Sequence, residues 1–152
     1  MDRVDQKILT LLQEDATLST AEIAERVSLT TTPCWRRIQN LEKAGIIRSR
    51  VALLDREQLN IGVDVFVGIR TNQHNADWLA EFASVVGEFE EVVEFYRMSG
   101  DVDYLMRVVV PDIAAYDRFY RRLIERVRIA DVSSSFAMER LKYTTSLPLD
   151  YA

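Results

Sequence analysis

Residues 19–45 read STAEIAERVSLTTTPCWRRIQNLEKAG, and this stretch decides the architecture of the first part of the chain. Ser19 and Glu22 stand at the spacing of a capping box, in which a hydroxyl and a carboxylate reciprocally satisfy the orphan N–H groups that open a helix. Ile23, Ala24 and Val27 follow on one side, which predicts a short helix over about 20–27. After Ser28-Leu29, Thr30 is placed to cap the next helix, with Pro33 in its first turn, where a missing N–H costs no hydrogen bond. Gly45 suits the left-handed residue just beyond its end. Within that helix Cys34, Ile38 and Leu41 share one face, while Thr32, Arg36, Gln39, Asn40 and Lys43 share the opposite one. Two helices joined by a short turn, the second exposing Arg, Asn and Gln, describe a helix-turn-helix whose second helix fits the major groove of double-stranded DNA.

Outward from this stretch, Val4, Ile8, Leu11 and Leu12 form a helical stripe, and Asp2 and Asp5 favour its N-terminus, so a first helix covers about 2–14. On the other side, residues 45–54 turn extended, with Arg48 and Arg50 one strand period apart and able to reach phosphate as a wing-like extension. Residues 1–50 are therefore read as a DNA-binding domain, 51–62 as a linker strand and hinge, and 63–152 as a second domain. In the second domain Val63, Val65, Val67 and Ile69 alternate as a strand, and Asn75 caps a helix carrying Leu79, Phe82, Ala83 and Val86. Val92 to Met98 and Tyr104 to Val110 are strand-like, Asp112 caps a helix bearing Tyr116, Tyr120, Leu123 and Val127, and Val132 to Glu139 is a last strand. The order βαββαβ is that of a ferredoxin-like α+β domain with both helices on one face of an antiparallel sheet. The bare face carries Val, Phe or Tyr from several strands, which points to a homodimer.

The chain has 152 residues, 48% of them apolar, and a net charge of −5. An acidic average argues against a polyanion as partner, but the charge is unevenly spread. Residues 1–50 hold 8 Lys/Arg against 7 Asp/Glu, net +1, and residues 51–152 hold 11 against 17, net −6. Between 30 and 50, Arg36, Arg37, Lys43, Arg48 and Arg50 face Glu42 alone, a compact basic patch suited to phosphate. No apolar run approaches the roughly 20 residues of a membrane span, and the N-terminus is amphipathic and acidic, unlike a signal peptide. The expected compartment is the cytoplasm, with no membrane partner. Cys34 cannot pair within the chain, and with His74 alone it makes no zinc site, so no metal or cofactor is expected.

These residues carry a resemblance. The run 29–38, LTTTPCWRRI, with 41–47, LEKAGII, resembles the recognition-helix signature of the Lrp/AsnC (feast/famine) transcription regulators. Ser99-Gly100-Asp101-Val102-Asp103-Tyr104-Leu105 is similar to that family's effector loop, and Lys142 with Leu147-Pro148-Leu149 to its closing segment. The resemblance implies a DNA-binding regulator that dimerises through its sheet, often assembles into octamers, and binds a small amino acid between dimers. It also implies an effector pocket built from Gly100, Asp101, Asp103 and Tyr104 with Ser133, Ser134 and Ser135 of a neighbour's last strand. Residues 126–131 depart from the Leu-Pro-Gly turn that many members have there.

On this reading Thr31, Thr32 and Arg36 face base edges, Gln39 and Asn40 share their helix face, and Lys43, Arg48 and Arg50 touch phosphate. Arg37 is grouped with the DNA contacts, although its direction on the helix also suits a structural role. Trp35 is read as a packing residue, Cys34 as core and His74 as surface. Asp101 and Asp103 equally suit a hairpin turn. The alternatives are an enzyme on the same scaffold, such as a tetrapyrrole decarboxylase, and an RNA-binding module of the same strand order. With no nucleophile, phosphate loop or histidine partner beside the carboxylates, the expectation is that the protein is not an enzyme.

Overall fold

Asp2 opens the first helix: in the computed structural model, which describes residues 1–73 and 75–152, its Oδ1 accepts from the N–H groups of Val4 and Asp5, each at 2.9 Å, while Asp5 Oδ2 accepts from Asp2 N at 3.0 Å. Helix α1 then runs Arg3–Glu14. The capping box at Ser19 and Glu22 is present as the sequence predicts and starts α2, Thr20–Arg26. Val27 caps α2, and Ser28 takes φ +57°, so that Ser28 N donates to Glu25 O and Leu29 N to Ala24 O. This is a Schellman closure made without glycine. Helix α3, Thr31–Lys43, has Thr30 at its N-cap, although the hydroxyl makes no cap bond there. The same closure ends α3, now with Gly45 at φ +72° and Ile46 N donating to Leu41 O at 3.0 Å. Ile8, Leu9, Ile23, Ala24, Cys34, Ile38 and Leu41 form the core between the three helices. Cys34 is wholly buried, and burial pushes its thiol up from the ordinary value.

The chain divides into two compact units, Met1–Leu53 with Leu141–Ala152, and Leu54–Arg140. Two expectations are corrected here. The segment 141–152, assigned by sequence to the second domain, joins the first unit. Residues 48–55 form no strand, because nothing among the described residues offers them a ladder, and Val51, Leu53 and Leu54 stay exposed. Nor is 51–62 a plain hinge strand. Residues 56–60 make a turn closed by Ile61 N donating to Arg56 O at 2.8 Å, with Asn60 at φ +55°.

The second unit follows the predicted order: β1 (Val63–Arg70), α4 (Ala76–Gly87), β2 (Val92–Arg97), β3 (Tyr104–Val110), α5 (Ile113–Arg126) and β4 (Asp131–Phe136). All pairings are antiparallel and the strands lie in the order β2-β3-β1-β4. Val65, Val67 and Ile69 of β1 and Met106 and Val108 of β3 are completely buried with Phe82 of α4 and Phe119 and Leu123 of α5. Burying each such side chain contributes about 1.5–3 kcal/mol, which fixes which sheet face the helices cover. Strand β4 stops short of the predicted Glu139. Its partner β1 begins at Val63, and Ala137 N donating to Asp64 O is the last bond that strand can accept.

The other sheet face is only partly the apolar surface expected. Phe66 and Tyr96 are exposed on it, but beside them Asp64, 8% exposed, binds three guanidinium groups: Arg56 at 2.5 Å, Arg107 at 3.1 Å and Arg140 at 3.1 Å. Arg107 also pairs with Glu94 at 2.7 Å. Arg56 Nη2 is buried and without a hydrogen-bond partner among the described residues. This network escaped the sequence reading because its members are scattered over 56–140 and share no motif. His74 lies outside the described residues.

Candidate nucleic-acid interface and effector region

Because α3 buries Cys34, Ile38 and Leu41, its rotation leaves Thr31, Thr32, Trp35, Arg36, Asn40 and Lys43 outward, with Gln39 half-buried beside them. Not all the polar groups there are free. Gln39 Nε2 donates to Glu42 Oε2 at 2.9 Å, and Arg50 Nη2 donates to Glu42 Oε1 at 2.8 Å, so one carboxylate orders a donor on the helix and brings the basic extension back against it. The side chains of Arg36, Asn40, Lys43 and Arg48 make no hydrogen bond or ion pair among the described residues.

Arg37, grouped by the sequence with the DNA contacts, is engaged within the fold. Its Nη1 donates to Asp2 Oδ2 at 2.7 Å and to Asp5 Oδ1 at 2.8 Å. The carboxylates that cap α1 thus also hold α3, and a guanidinium bonded twice within the fold is a tie between helices. The hydrogen bonds that Arg37 donates to Asp5 and Asp2 raise its pKa, and the Asp5 N–H, then Arg37, lower that of Asp2. Trp35, read as a packing residue, is 52% exposed, on the same side as Thr32 and Gln39. Its position three after Thr32 and four before Gln39 was the available signal. A cleft of about 460 Å3 opens beside this face, lined by Met1, Asp5, Pro33, Arg36, Arg37, Asn40 and Ile46.

In the second unit, the loop between β2 and β3 is fastened to the end of β1. Asp103 N donates to Ile69 O at 2.9 Å, Asp103 Oδ2 accepts from Thr71 N at 2.8 Å, and Arg70 Nε donates to Asp101 O at 2.6 Å. The Asp103 carboxylate therefore does the turn chemistry, whereas the Asp101 carboxylate makes no bond among the described residues. Gly100 is at φ +129°, where a side chain would be strained. Tyr104 is 6% exposed and points the other way, among Trp78, Phe82 and Phe95 at ring separations of 5.9, 5.3 and 5.8 Å. Tyr104, grouped by resemblance with the effector residues, thus packs in the core of this unit. The three serines also divide: Ser134 opposes Val67 and its hydroxyl bonds Tyr116 of α5, whereas Ser133 and Ser135 oppose Gly68 and Phe66 and share their face. Gly68 is where loop and strand meet. A Cβ there would lie 3.1 Å from Val102 Cγ1 and 3.9 Å from Ser133 O.

A cavity of about 350 Å3, which the sequence reading did not find, lies between α4 and the end of α5. Trp78, Phe82 and Ile124 supply its apolar wall, and Glu81, Glu125, Arg126 and Arg128 supply both signs of charge. Arg126 is engaged by Glu88 at 2.9 Å.

Comparison with known proteins agrees with both regions. Residues 1–48 match the winged helix-turn-helix DNA-binding family and residues 64–147 the Lrp/AsnC ligand binding domain. The chain is 52% identical to the DNA-binding transcriptional activator DecR of Escherichia coli K12, over 99% of both chains. It is 50% identical to a glutamate uptake regulatory protein of Zymomonas mobilis, over 98% of this chain and 91% of that one. Among solved structures, an AsnC family transcriptional regulator from Agrobacterium tumefaciens superposes with a TM-score of 0.97 at 66% identity, over 99% of each chain. A Neisseria meningitidis regulator solved as its L-methionine complex gives 0.94 at 37%, over 99% and 98%. With its helix-turn-helix, its ferredoxin-like sheet and these matches over nearly its whole length, the chain belongs to the Lrp/AsnC family of DNA-binding transcriptional regulators.

Proposed function

We propose that α3 reads the major groove of a specific operator, with Thr31, Thr32 and Arg36 on base edges and Lys43, Arg48 and Arg50 on phosphate. The observation that carries this reading is the contrast along α3: Arg37 is tied down by two carboxylates, while Arg36, Asn40 and Lys43 project from one side with no partner of their own among the described residues. Unpaired donors on one exposed helix face suit an external set of acceptors. The test is binding to the DNA upstream of its own gene and to scrambled DNA across a salt series. Specific affinity is expected to fall steeply with salt, and Arg36→Ala to lose about tenfold to a hundredfold. Equal affinity for both DNAs, or an Arg36→Ala protein that binds as tightly, contradicts the reading.

The reading extends to a small amino-acid effector, with no other cofactor. It is supported by the methionine complex of the Neisseria regulator and by the chemistry beside Gly68: the Asp101 carboxylate for an ammonium, and the Ser133 and Ser135 hydroxyls with the Gly100 amide for a carboxylate. Calorimetric titration with L-methionine should show binding that Asp101→Asn weakens. If Arg128→Ala weakens it instead, the cavity between α4 and α5 is the receptor. The part-apolar sheet face, with Phe66 and Tyr96 exposed, supports a homodimer, and assembly to an octamer belongs to the same proposal. A regulator rather than an enzyme is also the better reading of the loop, since the Asp103 carboxylate is held by a backbone N–H. No helix among the described residues is long and apolar enough to cross a membrane, in keeping with a cytoplasmic regulator.

A further inference from the structure

Helix α1 carries Gln6 and Gln13 two turns apart, hence on one face, and both side chains are occupied by the far end of the chain. Gln13 Oε1 accepts from Leu147 N at 2.7 Å, and Gln13 Nε2 donates to Leu147 O at 3.2 Å. One side-chain amide thus reproduces the two-bond exchange between paired β residues. Gln6 Nε2 donates to the carbonyls of Leu149 and Ala152, each at 3.2 Å, and Ala152 N turns back to Leu149 O at 3.1 Å. Between these attachments the Leu149 side chain packs against the helical core of the first unit. Polar attachment at both glutamines, with an apolar anchor between them, docks residues 147–152 on helix α1.

The connectivity gives these attachments a consequence. The first unit is joined to the second twice, after Leu53 and before Leu141, and the second connection leads from β4 to α1 with no regular element in between. Helix α1 is in turn fixed to α3 by Asp2 and Asp5 on Arg37. We propose that the segment Leu147–Ala152 is a positioning element of the DNA-binding unit, a tether that holds helix α1 and, through Arg37, the recognition helix. The proposal rests on α3 being the DNA-reading helix. Gln6, Gln13 and Leu149 are positioning residues that touch no DNA.

The experiment is hydrogen exchange on the full-length protein, with operator affinity measured alongside, for Gln13→Ala, Leu149→Asp and Leu149→Met. Removing the Gln13 pair should speed exchange in α1 by about threefold to tenfold, and Leu149→Asp by more, while β1 and β3 amides stay within about twofold of wild type. Operator affinity should fall several-fold in both variants, and Leu149→Met, which keeps the apolar anchor, should keep both values. Unchanged α1 exchange in Gln13→Ala and Leu149→Asp overturns the tether. Faster α1 exchange with undiminished affinity overturns its role in positioning α3. Wild-type protein that binds no DNA overturns the regulator reading instead, so the two failures are distinguishable.

Discussion

Arg36 and Arg37 are adjacent, identical in type and opposite in employment. A turn of 100° per residue carries the first away from the α1–α3 contact and the second toward Asp2 and Asp5. Arg37→Ala should therefore lower the thermal midpoint while leaving the slope of affinity against salt unchanged, whereas truncating a side chain that touches phosphate should reduce that slope by about one. Calorimetry and a salt titration of the same variant check both. The same site predicts acid sensitivity. The Asp2 carboxyl lies below its ordinary 3.8, first because the Asp5 N–H and then because Arg37 favours the charged form. A carboxyl lowered by folding stabilises fully above its unfolded pKa, and that contribution is lost as pH falls through the folded value. Asp2→Asn should flatten the loss of stability below about pH 4 in urea unfolding followed at several pH values. Ser28 holds a left-handed backbone that a side chain enters at a cost of about 1 kcal/mol, so Ser28→Gly should leave stability unchanged or raise it by about 0.5 kcal/mol. A clear loss in denaturant titration contradicts this.

At the level of elements, helices were legible because their signals are local. The capping box at Ser19, the acidic start of α1, the apolar spacing in α3 and the final Gly45 concern neighbours in sequence, and all three helices of the first unit lie within a residue or so of their predicted bounds. Strand positions were equally plain where the alternation is strong, as in β1 and β3. The extended run 48–55 shows the limit, since a strand exists only with a partner and no sequence pattern supplies one. The β2–β3 loop shows another: Val102 lies over Gly68, a meeting of distant positions. Gly68→Ala should press on Val102 and cost about 1–2 kcal/mol, and Val102→Ala in the same chain should recover much of it. Additive losses in a double-mutant cycle would mean the two positions do not meet.

For the whole molecule, the open face of the sheet joins exposed Phe66 and Tyr96 to the cluster of Asp64, Glu94, Arg56, Arg107 and Arg140. A second copy covering this face would bury those aromatics and meet a charged centre that tolerates few other partners. If the proposed homodimer forms through this face, Phe66→Glu should sediment as a monomer at equilibrium while the circular dichroism spectrum stays that of the folded chain, because Phe66 lies outside the core. A dimer that persists at equal protein concentration contradicts the sheet-face interface.

By itself, the sequence determined the two-part architecture, the order of elements and the exposed basic face of α3, since each rests on periodicity, capping or charge among residues within a few turns of one another. Tertiary structure alone decided which donors on that face are free, that Tyr104 and Ser134 turn inward, that three arginines converge on Asp64, and that the last residues return to α1. Each of these depends on residues far apart in the chain being brought within hydrogen-bonding or van der Waals distance. A periodic pattern records which side of an element is buried, but not which partner waits there.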